Sequence, residues 1–234
     1  AWTARLLVWS FQAFCWCRLW TTLSRRTWLA PLAAGLFVLL AEQCEMAGEW
    51  AIGGAEAKGV AYALVFLGMA ALARAQWNAV WCWLGLAASF HVLVGGWSTI
   101  AAGCAWIMVG RDRPSLVSMW KGLLVGGLCA APGLYAALAL TWQSDPDTVR
   151  AANAIYVYGR LAHHLDPTSF QGREVSRFLA LVVAWLGLAI LAPQAWLPRG
   201  LRWFITGSLA ISGAGLLIST ATLSDAARHA ALMR

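Results

Sequence analysis

The run WNAVWCWLGLAASFHVLVGGWSTIAAGCAWIMVG, residues 77–110, contains no Asp, Glu, Lys or Arg. A helix needs about 20 apolar residues to cross the hydrocarbon core of a bilayer, which is about 30 Å thick. The run is therefore long enough for two helices, and it is broken only at His91, which Val-Leu-Val-Gly-Gly follows. We predict spans over 77–92 and 96–110, with Gly95 and Gly96 allowing the chain to reverse. Either span could instead be a half-span or a re-entrant segment.

The chain as a whole is also rich in apolar residues and poor in charged ones. Of its 234 residues 61% are hydrophobic and only 12% are charged, and the mean hydropathy is +0.65. This balance excludes an ordinary soluble domain and predicts an all-α, polytopic transmembrane helix bundle. Apolar runs of suitable length predict about eight spans. They cover residues 3–21, 27–41, 59–74, 77–92, 96–110, 120–142, 176–192 and 202–222.

The charged residues predict how the chain is oriented. With the N-terminus outside, nine of the ten acidic residues fall in outer loops and only Asp112 falls in an inner one. Basic residues are enriched in the inner loops relative to acidic ones, as cytoplasmic loops require. Although the net charge is +7, the basic residues are scattered at segment ends and form no stripe, so we expect no nucleic-acid partner. Membrane lipid is the expected partner.

Nothing in the composition divides the chain. We expect residues 1–234 to form a single integral membrane domain, and we find no repeat. The chain starts with Ala1, and its opening run has no basic region or small-residue cleavage site, so no cleavable signal is predicted. Whether the chain is a fragment of a longer one stays open. Five glycines are expected to let helices approach closely. They are Gly126, Gly127, Gly207, Gly213 and Gly215.

The longest loop, 143–175, is predicted to contain an interfacial helix. Asp145 reads as an N-cap, and Pro146 suits the first helical position, so the helix begins there and covers 146–165. Its apolar residues recur at three- and four-residue steps, which gives one face for the membrane surface or the bundle. Asp166-Pro167 ends this helix or caps the next one.

The same loop carries the sequence Tyr158-Gly-Arg-Leu-Ala-His-His-Leu-Asp-Pro167. In one interpretation, Asp166 is an N-cap, His163 and His164 are polar residues at an aqueous interface, and Arg160 is a partner for lipid phosphate or a nearby acid. In the other, His163, His164 and Asp166 join glutamates of loop 42–56 to bind a divalent metal ion or an anionic substrate. Imidazole and carboxylate groups suit such an ion. Because adjacent histidines point in different directions on a helix, binding one ion with both would need a distorted turn.

A second group of polar residues lies in Glu49-Trp-Ala-Ile-Gly-Gly-Ala-Glu-Ala-Lys58. The two glycines permit a tight turn, and Glu56 and Lys58 stand where the third span begins. A negative charge at a helix start is favourable for the dipole alone, so capping and catalysis both explain Glu56. His91 either faces the bundle interior or a wet cavity, or donates a hydrogen bond to a carbonyl at the turn.

Three segments carry a resemblance to a known family. Gly48-Glu-Trp-Ala-Ile-Gly-Gly-Ala-Glu-Ala-Lys-Gly59, Ala88-Ser-Phe-His-Val-Leu-Val-Gly-Gly-Trp97 and Arg160-Leu-Ala-His-His-Leu-Asp-Pro167 resemble uncharacterised bacterial polytopic membrane proteins, found in planctomycetes among others, that carry an Arg-x-Pro-His-His signature. Here Ala162 stands in place of the proline. The resemblance implies a multi-pass protein of the bacterial inner membrane.

The chain also resembles, more distantly, the GT-C glycosyltransferases, which move a sugar from a polyprenyl-phosphate donor at the extracytoplasmic face. That resemblance implies that Glu49 or Glu56 is the acidic residue that acts as general base or metal ligand, and that Arg160 with His163 or His164 holds phosphate or a metal ion. We further expect Lys58 and His91 to help bind the substrate, and Asp166 to join the two histidines at a divalent metal ion. No Asp-Asp or Asp-Glu pair of the familiar kind is present. The alternatives are a transporter or ion-binding protein with His91 in a permeation path, and a non-catalytic assembly subunit that binds a partner protein.

Overall fold

A computed structural model describes residues 2–46, 51–142, 144–192 and 197–232, without the side chains of Thr141 and 220–232. All regular structure in these ranges is helical, which confirms the all-α fold. Short 3₁₀ turns occur at Thr27–Leu29, Gly110–Asp112 and Pro167–Ser169, and a π-helix covers Ile155–Arg160. The α-helices are α1 Trp2–Leu23, α2 Ala30–Gln43, α3 Ala57–Ala73, α4 Trp77–Phe90, α5 Val92–Met108, α6 Leu116–Trp142, α7 Pro146–Ala154, α8 Ala162–Leu165, α9 Gly172–Leu191 and α10 Arg199–Leu232.

A helix lies at each of the eight predicted spans, but the helices differ in length. Three stretches are long and apolar enough to cross a membrane: Leu116–Leu140, Gly172–Leu191 and Arg199–Ser219. By contrast, α2, α3, α4 and α5 have only 14 to 17 residues. At 1.5 Å per residue they are about 21–26 Å long, shorter than the hydrocarbon core. In the described ranges, three helices could thus span a membrane, and eight crossings stay a prediction.

Helix α4 is at the centre of the bundle. It packs on α3, α5 and α6, while α1 packs on α3, α2 on α1, and α10 on α5. The largest fully buried side chains mark these contacts: Leu84 on α4, Met119 on α6 and Leu201 on α10. In a bilayer, van der Waals packing of such side chains holds the helices together, because lipid tails are as apolar as the buried residues.

The contact between α4 and α6 depends on glycine. A Cβ atom on Gly85 would lie 2.1 Å from the Gly126 carbonyl oxygen, and one on Gly126 would lie 2.3 Å from the Trp81 carbonyl oxygen. Two backbones can approach this closely only where no side chain separates them. Asn78 joins the same helices, since its Nδ2 donates to the Ser118 carbonyl (3.0 Å) and its Oδ1 accepts from the Gly122 amide (2.8 Å).

The glycine predictions are partly wrong. Gly126 and Gly207 lie at helix contacts, but Gly127, Gly213 and Gly215 have open space where a Cβ atom would stand. Successive residues of a helix are turned by about 100°, so Gly127 faces away from the contact that Gly126 makes. Sequence alone does not reveal which face of α6 meets α4.

The turn between α4 and α5 is tighter than predicted. His91 alone separates Phe90 from Val92, so Gly95 and Gly96 lie inside α5 and do not form the turn. A Cβ atom on Gly95 would lie 2.1 Å from the Ala88 amide nitrogen. The role of Gly95 is thus to let the first turn of α5 pack against the last turn of α4.

Contacts between three pairs of helices indicate the relative directions in which these helices run. Gln12 of α1 bonds Gly59 at the start of α3, so these helices run parallel. The pairs Arg199–Asp112 (2.9 Å) and Gly207–Cys104 show that α10 runs antiparallel to α5. Arg177 near the start of α9 donates to Gln43 at the end of α2. These three contacts agree with the relative directions of the predicted spans, whose number and orientation in a membrane stay a prediction.

Candidate functional site

A cleft of about 280 Å³ opens between α1, α2 and the segment that leads into α3. Its wall is almost wholly apolar. The larger lining side chains are Trp9, Trp16, Pro31, Phe37, Ile52 and Phe66. Ring contacts between Trp16, Phe37 and Phe66, with centroids 5.1–5.6 Å apart, hold α1, α2 and α3 around it.

Helix α1 anchors the segment that carries the predicted acidic residues. The indole Nε1 of Trp9 donates to the Gly53 carbonyl (3.0 Å). The amide Nε2 of Gln12 donates to the carbonyls of Ala51 (2.8 Å) and Gly59 (3.2 Å). The chain through 51–56 makes no regular structure, so its carbonyl groups need partners from elsewhere. These bonds hold the segment against the cleft, and its Ile52 side chain forms part of the wall.

Gln12 is the one buried polar residue in the described part of the chain, with 4% of its surface exposed. Its side chain lines the cleft. While Nε2 has two partners, the buried Oε1 atom has none. A buried acceptor without a partner is rare in native structures because it costs about 1–3 kcal/mol. Sequence reasoning missed Gln12, although an isolated amide in the middle of an apolar helix was a visible signal.

Replacing Gln12 by leucine should release this segment. We expect the amides of 51–59 to exchange with deuterium at least about tenfold faster, because two hydrogen bonds worth about 1 kcal/mol each are lost. Hydrogen exchange read by mass spectrometry would measure this. The exposed neighbour Ser10 supplies the matched control, Ser10→Ala. Equal protection in both variants would mean that Gln12 does not hold the segment.

Glu56 occupies the N-cap position of α3. Its side chain is exposed and makes no capping hydrogen bond, whereas its carbonyl oxygen accepts from the Gly59 amide (3.1 Å). Hydrogen-bond capping therefore does not explain the residue, and only the favourable interaction of its charge with the helix dipole remains as a structural role. Lys58 is half-buried in the first turn of the same helix. Glu49, the other predicted catalytic residue, lies outside the described residues.

His91 is the N-cap of α5. Its Nδ1 atom accepts a hydrogen bond from the Val94 amide at 3.2 Å, whereas the alternative in which the ring donates to a carbonyl stays a prediction. An acceptor at Nδ1 must lack a proton, which places the ring proton of the neutral imidazole on Nε2. The side chain is half-buried, and its structural role as a cap is sufficient to explain it.

The loop helix is less regular than predicted. Asp145 caps α7 as expected, accepting from the amides of Asp147 (3.1 Å) and Thr148 (3.0 Å). However, the α-helix ends at Ala154, a π-helix follows, and the chain leaves helical geometry at Leu161 (φ −124°, ψ 31°). The six-residue π-helix contributes Arg160 as its last residue. Such π segments are rare and often mark functional positions, and nothing in the sequence indicated this one.

The two histidines lie closer together than the helical geometry of the loop predicted. The rings of His163 and His164 have centroids 3.9 Å apart, in a helix of only four residues. Asp166 acts as a cap, since its Oδ1 accepts from the Thr168 amide (2.8 Å) and hydroxyl (2.7 Å). Among the described residues, no three His, Cys, Asp or Glu side chains come together in a way that could hold a metal ion. The metal site therefore stays a prediction.

The structure thus brings some of the predicted site residues together and leaves others apart. Glu56 and Lys58 are adjacent to the segment that walls the cleft, while His163, His164 and Asp166 belong to a different loop at the same end of the bundle. That loop contacts α10, where the Ser219 hydroxyl donates to the Leu165 carbonyl (3.3 Å).

Comparison with known proteins adds no functional information to this geometry. The structural features that bear on function are the cleft, Gln12 and the charged residues at the start of α3. No family model, no curated protein and no solved structure matches the chain.

Proposed function

We propose that this chain is an integral membrane protein that acts on a lipid-linked substrate, as a GT-C-like transferase using a polyprenyl-phosphate donor. One observation carries the proposal: the apolar cleft lies directly against the segment that leads to Glu56 and Lys58. A lipid-linked substrate has the same two parts, a hydrocarbon chain and a charged head. The cleft accommodates the first, and the start of α3 meets the second.

The size of the cleft fits part of a hydrocarbon chain. Its volume of about 280 Å³ is close to the lower end for ligand pockets, which are roughly 300–1,000 Å³. Each methylene group moved from water into such a site contributes about 0.8 kcal/mol. In a bilayer this gain is small, because lipid tails are as apolar as the cleft, so the shape of the wall and the polar groups at its rim decide which lipid binds.

The charged residues at the start of α3 suit the transfer step. As the acceptor hydroxyl oxygen forms its bond to the anomeric carbon of the sugar, its proton passes to the Glu56 carboxylate. The bond from that carbon to the phosphate oxygen breaks, and polyprenyl phosphate leaves with the electron pair. Lys58 supplies a positive charge near the departing phosphate. The exposed Glu56 carboxylate, which caps no helix amide, is available for this role.

Filling the cleft tests the proposal. Ala34 lines the cleft on α2, and phenylalanine at this position would occupy part of its volume. We expect Ala34→Phe to weaken binding of a farnesyl-phosphate probe at least about tenfold, since the ring occupies space that the chain would fill and removes the packing of the chain against the wall. Native mass spectrometry of protein in nanodiscs would measure the bound fraction.

The matched control is Ala4→Phe, which adds the same ring at an exposed position on α1 that does not line the cleft. It should bind the probe like the wild type. Equal probe binding in wild type, Ala34→Phe and Ala4→Phe would show that the cleft is not the lipid site. The proposal would then lose its support.

A further inference from the structure

We infer that the turn between α5 and α6, residues 109–115, binds the phosphate headgroup of an anionic phospholipid of the surrounding bilayer. The acyl chains of that lipid lie on exposed apolar side chains at the end of α5 and the start of α6. This surface is separate from the cleft. The inference needs the chain to lie in a membrane, but it does not depend on the transfer reaction.

Positive charge is concentrated at this end of the bundle. Five exposed basic side chains lie at or near the helix ends that meet there. They are Arg74, Arg111, Arg113, Lys121 and Arg199. The start of α10 contacts the end of α3, since a Cβ atom on Gly200 would lie 3.1 Å from the Leu72 side chain. It also contacts the α5–α6 turn, through the ion pair of Arg199 with Asp112 (2.9 Å).

The acidic residue of the turn does not neutralise its two basic neighbours. Residues 57–144 contain a single acidic residue, Asp112, and its Oδ2 atom accepts from Arg199 Nη1. In the described part of the chain, neither Arg111 nor Arg113 forms an ion pair. Because both side chains are exposed, their guanidinium groups can bind an anion that approaches from outside the protein.

The turn holds these charges in a defined shape. Gly110 has φ +73°, in the left-handed region that favours glycine. The Trp106 Nε1 donates to the Pro114 carbonyl (2.9 Å), and the guanidinium of Arg113 lies over the same indole, 4.8 Å from the ring centroid. The positive charge that orients a membrane protein needs no fixed position. A site that is formed before its ligand arrives loses less entropy on binding.

Exposed apolar side chains stand on both sides of the charged turn. Ile107 and Met108 at the end of α5 have 56% and 47% of their surface exposed, and Leu116 and Val117 at the start of α6 have 58% and 79%. Lys and Arg clusters beside membrane helices are typical of sites for anionic lipids. An acidic protein would meet the charges but leave these apolar side chains uncovered. A phospholipid, with a phosphate above hydrocarbon chains, fits both parts.

Two lipids with the same acyl chains test the inference. Dioleoylphosphatidylglycerol has a net negative charge, and dioleoylphosphatidylcholine has none. We expect the double variant Arg111→Gln, Arg113→Gln to bind phosphatidylglycerol at least about tenfold more weakly than wild type, since each basic residue near an anionic lipid contributes about fivefold. Its affinity for phosphatidylcholine should not change. Native mass spectrometry of protein in neutral detergent, with each lipid titrated separately, would give the affinities.

The matched control is the double variant Arg150→Gln, Arg173→Gln, which removes two exposed arginines in α7 and at the start of α9. It should keep the wild-type affinities. Asp112→Asn should bind phosphatidylglycerol about fivefold more tightly, because one negative charge is lost and Arg199 is released. Partial unfolding cannot produce such a gain. Equal affinity of the wild type for the two lipids would overturn the inference, as would an equal loss in the turn and control variants.

Discussion

Replacing Gly126 by alanine is expected to destabilise the folded protein by about 3 kcal/mol or more. The added methyl group would lie 2.3 Å from the Trp81 carbonyl oxygen, far inside van der Waals contact. Since the neighbouring atoms belong to the α4 backbone, no side chain can move aside, and the helices must separate. Overpacking that forces backbone shifts costs about 1–3 kcal/mol and occasionally more. This contact joins α6 to the central helix α4, so its loss should destabilise the whole bundle.

Gly127→Ala is the matched control, because it makes the same change one residue further along the same helix. A Cβ atom there meets nothing within 4 Å, and alanine favours a helix by up to about 1 kcal/mol over glycine. Thermal unfolding in detergent, followed by the loss of the monodisperse peak in size-exclusion chromatography, would compare the two. Similar stability of both variants would contradict the close α4–α6 contact.

The fold was largely predictable because hydrophobic pattern is a local property. The apolar runs located the eight helices of 14 residues or more in the described ranges, and the sequence Asp145-Pro146 located the start of α7. The packing was not predictable, since it depends on which face of each helix meets another. Glycine lets helices approach, but Gly126 and Gly127 are alike in sequence and differ only in the direction they face.

The candidate site was harder to predict from the sequence than the fold. The acidic segment was noticed because charged residues stand out in an apolar chain, and Glu56 does lie at the start of α3. The cleft itself was not predicted, because its wall is made of residues such as Trp16 and Phe66 that look like ordinary core. Gln12 could have been found as an amide inside an apolar run. Its two carbonyl partners lie 39 and 47 residues away, and no local pattern points to them.

The structure only partly supports the predictions made for the histidine loop. Asp166 was open to two interpretations, as a cap and as a metal ligand, and its bonds to Thr168 confirm the cap. Arg160 and His164 are four residues apart but do not share a helix face, because the chain leaves helical geometry at Leu161, which lies between them. A spacing of four residues places two side chains on one face only if the helix between them is regular.

Replacing Glu56 by glutamine is expected to abolish sugar transfer while leaving the protein folded and able to bind lipid. The amide keeps the size of the side chain but cannot accept the proton of the acceptor hydroxyl, and loss of a general base lowers a rate by about 10²–10⁴-fold. Since Glu56 is exposed and makes no capping hydrogen bond, stability should change by less than about 0.5 kcal/mol. Loss of radiolabelled sugar from its polyprenyl-phosphate donor, measured with protein in nanodiscs, would provide the rate.

Asp147→Asn is the matched control, because Asp147 is an exposed acid in the first turn of α7 and lies outside the cleft wall. It should retain the wild-type rate.

His164→Ala tests the second loop in the same assay, and the transferase proposal expects it to be inactive because the resemblance gives this histidine the phosphate or the metal ion. Full activity in both Glu56→Gln and His164→Ala would rule out the transfer mechanism. Lipid binding by the cleft would then describe a protein that carries or senses a lipid without modifying it.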